Sequence, residues 1–228
     1  MRRLAATIRT DVRVQFRNGF YAATVLVVIF SIVLLRWLPR ETATLLLPVV
    51  ILENVLMNTF YFVSGLVLLE RVEGTFVAQS VTPLRTAEYL GSKLATLTGL
   101  SLVESGLIAV AVFGVARWLI AMALGVVLAA ALFCLVGVAL VVRYDSINEF
   151  LLPSVPYTFL LSLPLLGIFG IGADAWYLPH PIQGPLELMR IDALYSGGRL
   201  AYAIGYPLVW IVPVYLWSRR ALESARNA

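Results

Sequence analysis

Six runs of mostly apolar residues, each about as long as a bilayer-spanning helix, constrain the fold of this chain more than any other feature. A spanning helix needs about 20 such residues, and a soluble domain has too small a core to hide six of them. The composition agrees, because 61% of the 228 residues are apolar and only 13% are charged. The predicted spans are 20–38, 45–69, 94–116, 118–142, 150–171 and 200–217. The sequence therefore predicts an all-α membrane protein in which residues 1–228 form a single transmembrane domain with six transmembrane helices.

The placement of lysine and arginine predicts which helix ends face the cytoplasm. If the N-terminus lies inside, the segments on that side hold 12 of the 17 basic residues and the opposite side holds 5. Basic residues concentrate on the cytoplasmic side of membrane proteins, so we expect both termini in the cytoplasm of a multi-pass protein of the inner or plasma membrane. The connection 70–93 is then cytoplasmic, and the connection 172–199 lies outside. A net charge of +4 is too small to indicate nucleic-acid binding.

The segment before the first span, residues 2–19, has the pattern of an interfacial helix. Apolar side chains recur at every fourth residue, namely Leu4, Ile8, Val12 and Phe16. Arginines occupy the other faces, and such a helix would lie flat at the inner interface with its arginines toward anionic lipid or a partner. The alternative is a basic flank with no regular structure. Gly19 can form the bend into the first span.

The cytoplasmic connection is predicted to hold a short transverse helix. A mixed-charge cluster ends the second span, and Gly74 permits a sharp turn after it. Thr75 can cap a short helix, and Pro83 stops it because proline disfavours helix at the residue before it. This helix would present Phe76 and Val77 on a stiff projection, where exposed apolar groups suit a protein contact. The alternative is that both side chains dip into the lipid interface.

Three groups of residues in and beside this connection form a recognisable pattern. They are Glu70, Arg71, Val72, Glu73, Gly74 and Thr75, then Thr82 and Pro83, then Glu88, Tyr89 and Lys93. With spans and loops that correspond over nearly the whole chain, the pattern resembles that of the permease subunits of type-2 ATP-binding-cassette (ABC) exporters. Within that family the chain looks most like small drug-export permeases, including those of fluoroquinolone export. The resemblance implies an interfacial N-terminal helix, a cytoplasmic coupling helix between spans 2 and 3, and short extracellular helices between spans 5 and 6.

The resemblance also implies partners. In the family the coupling helix sits in a groove of a separate ATPase subunit, so residues 74–83 would take that role here. Two such subunits would bind ATP and Mg, and a second permease subunit would complete a homodimer or heterodimer. The cargo implied is a small amphiphilic molecule, a lipid-like compound or a peptide, moved out of the cytoplasm. The residues implied in ATPase coupling are Glu70, Arg71, Glu73, Gly74, Thr75, Phe76, Val77, Thr82 and Pro83.

Four polar side chains fall inside the predicted spans, with Glu53, Asn54 and Asn58 in the second and Glu104 in the third. A carboxylate in hydrocarbon costs about 2.5–3.5 kcal/mol, and such residues usually face the interior of a helix bundle. In one interpretation they line a substrate path and recognise a cationic amphiphile. In the other they are paired or protonated groups that tie helices together. For Glu53 a third interpretation is open: the residue lies near the outer interface, because the run 45–69 is longer than a span requires.

The outer connection 172–199 is predicted to contain a short helix over 183–195. Pro185 suits its first turn, and two glycines follow its end. One face of this helix is apolar, which favours a position on the outer leaflet or partly within it. His180, the only histidine, lies between two prolines. Without a nearby cysteine or carboxylate pair, His180 is expected to be a surface residue rather than a metal ligand.

Several kinds of chemistry have no motif in the sequence. It contains no Gly-x-x-x-x-Gly-Lys-Ser/Thr run for ATP, no His-Glu-x-x-His zinc motif and no Gly-x-Ser-x-Gly nucleophile elbow. The single Cys134 excludes an intrachain disulfide. We therefore expect no enzyme activity, cofactor or metal on the chain itself. A membrane-embedded enzyme that uses the intramembrane carboxylates, and a channel or assembly factor without ATP coupling, stay open as alternatives, and the sequence does not specify the substrate.

Overall fold

The computed structural model describes residues 2–74, 85–191 and 197–227, and all regular elements in these ranges are helices. In chain order they are α1 (Arg2–Arg17), α2 (Phe20–Trp37), α3 (Arg40–Leu56), the π-helical turn Met57–Tyr61, α4 (Phe62–Val72), α5 (Thr86–Phe113), α6 (Trp118–Val141), α7 (Ile147–Ser162), α8 (Leu165–Ile168), α9 (Asp174–Tyr177), α10 (Gln183–Leu188) and α11 (Gly197–Asn227). The all-helical fold class is confirmed for this part of the chain.

Within the described ranges, five helical stretches are long and apolar enough to cross a membrane. They are α2, α5, α6, most of α11, and the continuous run Arg40–Val72 that joins α3, the π turn and α4. The chain is therefore a multi-pass membrane protein. The Arg40–Val72 run and α11 extend beyond the predicted spans at both ends, and α5 begins well before its predicted span but ends at Phe113, short of residue 116. The extensions arise because polar residues continue these helices outside the apolar core.

The predicted span 150–171 is not one continuous helix. α7 ends at Ser162, a turn follows at 163–164, and α8 is a single helical turn. Pro164 has no N–H to donate to the preceding turn, and two further prolines lie inside α7. With 16 residues α7 is about 24 Å long, shorter than the ~30 Å hydrocarbon core of a bilayer. A sixth span therefore stays a prediction.

α6 is the most apolar of the five stretches, with a mean hydropathy of 2.9, and it packs against the second span, α5, α10 and α11. Small residues on α6 let its neighbours approach closely. At Gly137 a Cβ atom would lie 2.8 Å from Val63 Cγ1 and 3.0 Å from the Phe60 carbonyl oxygen. On another side, the Ser218 hydroxyl of α11 donates a hydrogen bond of 2.5 Å to the Leu135 carbonyl. α6 is thus the central helix around which the others pack.

α1 lies against α5 and turns into α2 at Gly19. The bend predicted there is confirmed, since Gly19 has a φ of +78°, a left-handed conformation that glycine adopts readily. The predicted apolar stripe of α1 is split, because Val12 and Phe16 are 40% and 76% exposed while Asp11 and Gln15 are buried. A polar face of α1 therefore points into the bundle, and its exposed apolar side chains are left free to meet lipid.

The connection between α8 and α11 contains the short helices α9 and α10. α10 covers only the first part of the helix predicted over 183–195, and residues 192–196 lie outside the described residues. α10 is wedged between α6 and α11, and at Gly125 of α6 a Cβ atom would lie only 2.6 Å from the Pro185 carbonyl oxygen. This short helix is therefore part of the packed bundle.

His180 joins this connection to α7. Its Nε2 lies 3.1 Å from the Leu160 carbonyl oxygen, and its Nδ1 accepts a hydrogen bond of 3.2 Å from the Ile182 N–H. Because Nδ1 accepts, the ring is neutral and carries its proton on Nε2. Burial disfavours the charged form and lowers the pKa of His180 from 6.5 to about 4. The sequence-based expectation of a surface residue misses this role in holding the connection.

Replacing Gly184 by alanine tests the packing of α10. A Cβ atom there would lie 2.7 Å from the Ala203 carbonyl oxygen and 3.0 Å from the Ala203 Cα, and backbone atoms cannot swing aside. We expect Gly184→Ala to lower the free energy of unfolding by about 1–3 kcal/mol, the usual cost of overpacking. Thermal unfolding followed by a thiol-reactive dye measures this, since the single Cys134 is buried. In the control Gly106→Ala the Cβ meets nothing within 4 Å, so equal losses in both variants would contradict the packing described here.

His180 also predicts a dependence of stability on pH. Between pH 6.5 and about 4 the unfolded chain binds a proton at this residue that the folded chain does not, so stability falls as the pH drops through that window. Above about pH 6.5 the contribution is fully present. We expect the unfolding midpoint, followed by tryptophan fluorescence, to fall more steeply between pH 7 and pH 5 in the wild type than in His180→Gln. Parallel pH profiles of the two proteins would show that His180 is not the group responsible.

Candidate functional site

Lys93 is buried among helix ends on the side that the sequence places in the cytoplasm. Its Nζ lies 2.6 Å from Asp11 Oδ1 on α1 and 2.5 Å from Glu70 Oε1 on α4. Lys93 is 0% exposed, and Asp11 and Glu70 are 4% and 8% exposed. An ammonium so buried is stable only when it is paired and hydrogen-bonded. The two ion pairs therefore hold α1, α4 and α5 together at one level of the bundle.

Two hydroxyl groups complete the hydrogen bonding of this site, which we call the inner cluster (Asp11, Glu70, Tyr89, Ser92 and Lys93). The Tyr89 hydroxyl donates to Glu70 Oε2 at 2.7 Å, and the Ser92 hydroxyl donates to Asp11 Oδ2. The Lys93 ammonium also lies 5.1 Å from the centre of the Tyr89 ring, within range of a cation–π attraction. Each carboxylate thus has one oxygen on the ammonium and the other on a hydroxyl. A buried network satisfied in this way is rigid.

Arg71 ties the same end of α4 to the connection between α6 and α7. Its guanidinium donates to the carbonyl oxygens of Val142 and Tyr144 at 2.7 and 2.9 Å. It also forms an ion pair of 2.5 Å with Asp145 Oδ1. Because a guanidinium offers several donors in one plane, this side chain can hold all three acceptors at once. Arg71 therefore links the end of α4 to the residues just before α7.

The predicted ATPase-coupling residues fall into two groups. Glu70, Arg71 and Glu73 lie at the end of the second span, and Glu73 accepts a hydrogen bond of 2.7 Å from Arg17 of α1. Gly74 follows with a φ of +69°, which turns the chain away from α4. The remaining predicted residues lie outside the described residues, and they are Thr75, Phe76, Val77, Thr82 and Pro83.

Two residues of the inner cluster are unusual in the sequence, although their pairing is not predicted from it. Asp11 is the only acidic residue before Glu41, and it stands in a segment rich in arginine. Lys93 is the only lysine in a chain whose other basic residues are all arginine. A compact ammonium suits a closed pocket better than a planar guanidinium does. Their pairing joins residues 82 positions apart, which no local pattern reveals.

Inside the membrane-spanning part, the structure brings two of the four predicted polar residues together. Asn58 Nδ2 donates to Glu104 Oε2, and the Thr24 hydroxyl donates to Asn58 Oδ1 at 3.3 Å. Asn58 lies in the π turn, a local widening of the helix that often marks functional sites. The three residues join α2, the π turn and α5, and each is at most 5% exposed.

The other two polar residues have separate partners. Asn54 Nδ2 donates to Ser31 Oγ of α2 at 3.1 Å, whereas Glu53 is exposed and accepts a hydrogen bond of 2.7 Å from Ser162 Oγ of α7. The four polar residues therefore make three separate contacts. No group of histidine, cysteine and carboxylate side chains in the described ranges could hold a metal ion.

Comparison with known proteins gives a consistent result. The family of fluoroquinolones export permease proteins matches residues 2–225. Two curated relatives, each named a fluoroquinolones export permease protein, come from the CDC 1551 and H37Rv strains of Mycobacterium tuberculosis. Each is 30% identical to the chain over 213 residues, which cover 92% of this chain and 90% of the relative. No solved structure matches the chain.

Replacing Lys93 by methionine tests the inner cluster. The change leaves two buried carboxylates without a counter-charge, and removing one partner of a buried pair costs about 3–5 kcal/mol. We expect Lys93→Met to lower the unfolding midpoint measured at Cys134, and Asp11→Asn with Glu70→Gln in the same chain to restore much of it. Arg219→Met, which breaks the exposed pair of Arg219 with Glu223, should have no measurable effect. A Lys93→Met protein as stable as the wild type would show that the cluster is not a structural joint.

Proposed function

Because the chain belongs to the family of fluoroquinolones export permease proteins, and so is the permease of a drug exporter, we propose that a separate ABC ATPase drives it. The chain would supply the membrane passage, and ATP and Mg would bind only to the ATPase subunits. A second permease subunit, identical or related, would complete the passage. The cargo would be a small amphiphilic molecule of the fluoroquinolone type.

The proposed topology has six spans and both termini in the cytoplasm. α7 and α8 together would form a bent fifth span, and the broken helix at 163–164 would be covered by the protein rather than exposed to lipid. The basic residues of α1 and the inner cluster would then lie at the cytoplasmic face. α9 and α10 would lie near the outer face, where α10 is packed against α6 and α11.

The inner cluster is the observation that carries the coupling proposal. Residues 74–83 would contact the ATPase, and the two ends of that segment lead into α4 and α5. Glu70 lies four residues before the segment and Lys93 lies ten residues after it, within α5, so their ion pair joins the two helices between which the segment runs. Asp11 binds the same ammonium. A push on the segment would therefore move the ends of α4 and α5 as one body and carry α1 with them.

We place the exit of the cargo between the second span and the fifth span of the two permease subunits. The hydrogen bond from Ser162 of α7 to Glu53 supports this, because it joins these two elements at an exposed position. The contacts of the carboxylates also favour transport over the rival of a membrane-embedded enzyme. Such an enzyme needs Glu53 and Glu104 to act as a pair, whereas Glu104 is buried against Asn58 and Glu53 is exposed beside Ser162.

The coupling role is tested by Phe76→Asp. In inside-out vesicles that also contain the ABC ATPase, we expect ATP-dependent uptake of norfloxacin and copurification of the ATPase to fall at least about tenfold, because a carboxylate cannot enter an apolar groove of the partner. Phe169→Asp makes the same change at a half-exposed phenylalanine beside α8 and serves as the matched control.

Two outcomes would contradict the proposal. Uptake of norfloxacin that persists without the ATPase subunit would indicate a passive channel. Normal copurification and uptake by Phe76→Asp would show that the connection 70–93 is not the contact with the ATPase. Equal loss in Phe169→Asp would point to misfolding, which the unfolding midpoint measured at Cys134 detects independently.

A further inference from the structure

A groove of about 570 Å³ lies between α2 and α5. Its volume falls in the range of about 300–1,000 Å³ that is usual for small-molecule sites. Four apolar side chains on its walls are 54–61% exposed, and they are Val25, Ile29, Val103 and Leu107. Both walls belong to membrane-spanning helices, so the groove opens sideways toward lipid rather than toward water.

Glu104 supplies the only carboxyl group among the residues that line this groove. Its side chain is buried, with 2% of the residue exposed. One oxygen accepts the hydrogen bond from Asn58, but Oε1 has no hydrogen-bond partner. Buried polar atoms are nearly always hydrogen-bonded, so the unpaired Oε1 in the wall of the groove needs an explanation, and a donor group of a bound ligand would supply one.

We propose that this groove binds the protonated amine of a membrane-soluble amphiphile, with the ammonium on Glu104 Oε1 and the apolar body along α2 and α5. The proposal rests on the proposed export function and names the class of cargo and the place where it is held. Such a molecule would reach the site from the bilayer, through the exposed walls, and would not need to pass through the cytoplasmic end of the bundle.

The carboxyl group of Glu104 favours this occupant over a lipid chain. An ionised carboxylate inside hydrocarbon is costly unless an opposite charge accompanies it. The Asn58 amide donates one hydrogen bond but carries no charge, and no ion pair of the described residues includes Glu104. An acyl chain would fill the apolar walls and leave Oε1 unsatisfied. An ammonium satisfies that oxygen and supplies the missing charge at the same time.

The groove is connected to the inner cluster by α5, which carries residues of both. Thr96 lines its end nearest the cytoplasmic side, and the Thr96 hydroxyl accepts a hydrogen bond of 3.1 Å from Gln15 of α1. Tyr21, on the opposite wall, donates to the same Gln15 side chain at 3.2 Å. Lys93 lies one helical turn earlier on α5 than Thr96. Motion of the inner cluster would therefore change the width of the groove directly.

A binding experiment on the permease alone tests this inference without depending on transport. The purified chain in lipid nanodiscs is titrated with monodansylcadaverine, a fluorescent amphiphile that ends in a primary ammonium, and with its N-acetyl derivative, which has the same apolar body and no charge. We expect Glu104→Gln to raise the Kd of the amine at least about tenfold, because a charge-assisted hydrogen bond is lost, and to leave the Kd of the acetylated probe unchanged. Glu41→Gln, which makes the same change at an exposed carboxylate outside the groove, should bind both probes as the wild type does.

A second variant blocks the groove without touching the charge. At Gly99, which lines the groove, a Cβ atom meets nothing within 4 Å, so the leucine of Gly99→Leu can start into open space and occupy the groove. We expect it to abolish binding of both probes. Gly106→Leu places the same side chain on the same helix at another open position outside the groove and should bind normally.

Three results would overturn the inference. Equal effects of Glu104→Gln on the amine and on the acetylated probe would show that no ion pair forms. Loss of copurified phospholipid in Gly99→Leu, with no displacement of that lipid by the amine, would make the groove a lipid site. A change of oligomeric state in Gly99→Leu, with probe binding intact, would make it a contact between copies of the chain. If the amine binds as expected but ATP does not drive its export, the proposed function fails and the site stands.

Discussion

The ion pairs of Lys93 are the interaction on which the arrangement of this bundle depends most. A fully buried ammonium cannot remain charged alone, so Asp11 and Glu70 must both stay within hydrogen-bond reach of it. This requirement brings α1, which precedes the membrane spans, against the facing ends of α4 and α5. Hydrophobic packing alone would not define this position, because lipid competes for apolar surfaces in a membrane and does not compete for a buried ion pair.

α5 connects the two polar sites of the molecule. One face of α5 carries Lys93, Thr96 and Glu104, because the spacings of three and eight residues return to nearly the same side of a helix. At 1.5 Å per residue, about 16 Å separate Lys93 of the inner cluster from the carboxyl group of Glu104. A helix is stiff over that distance. A rotation of its cytoplasmic end would therefore move Glu104 without rearranging the residues between them. The proposed coupling to the ATPase and the proposed binding of the amine would then take place at the two ends of one rigid helix.

The sequence predicts the apolar elements well and the polar contacts poorly, for a physical reason. Hydropathy is local, so most spans and the bend at Gly19 follow from short windows of residues. The pairing of Asp11 with Lys93 depends on tertiary packing, and nothing near either residue indicates it. Proline shows the same limit. Pro153, Pro156 and Pro164 indicate a distorted helix over 150–171. Whether that helix bends or ends at Ser162 depends on whether neighbouring groups can hydrogen-bond the carbonyl oxygens that the prolines leave unpaired.

Glu53 and Glu104 show why an intramembrane carboxylate cannot be interpreted from its depth alone. The sequence allows each of them a structural or a functional role on equal terms. Glu53 is exposed, so its carboxylate lies at the surface of the bundle, and it accepts a hydrogen bond from Ser162, the last residue of α7. Glu104 is buried, satisfied at one oxygen only, and set in an apolar groove. A purely structural role for Glu104 would be served as well by glutamine, which keeps the hydrogen bond from Asn58 and avoids the cost of a carboxylate in hydrocarbon. The choice of a carboxyl group instead of an amide is therefore the part of Glu104 that the packing of the bundle does not explain.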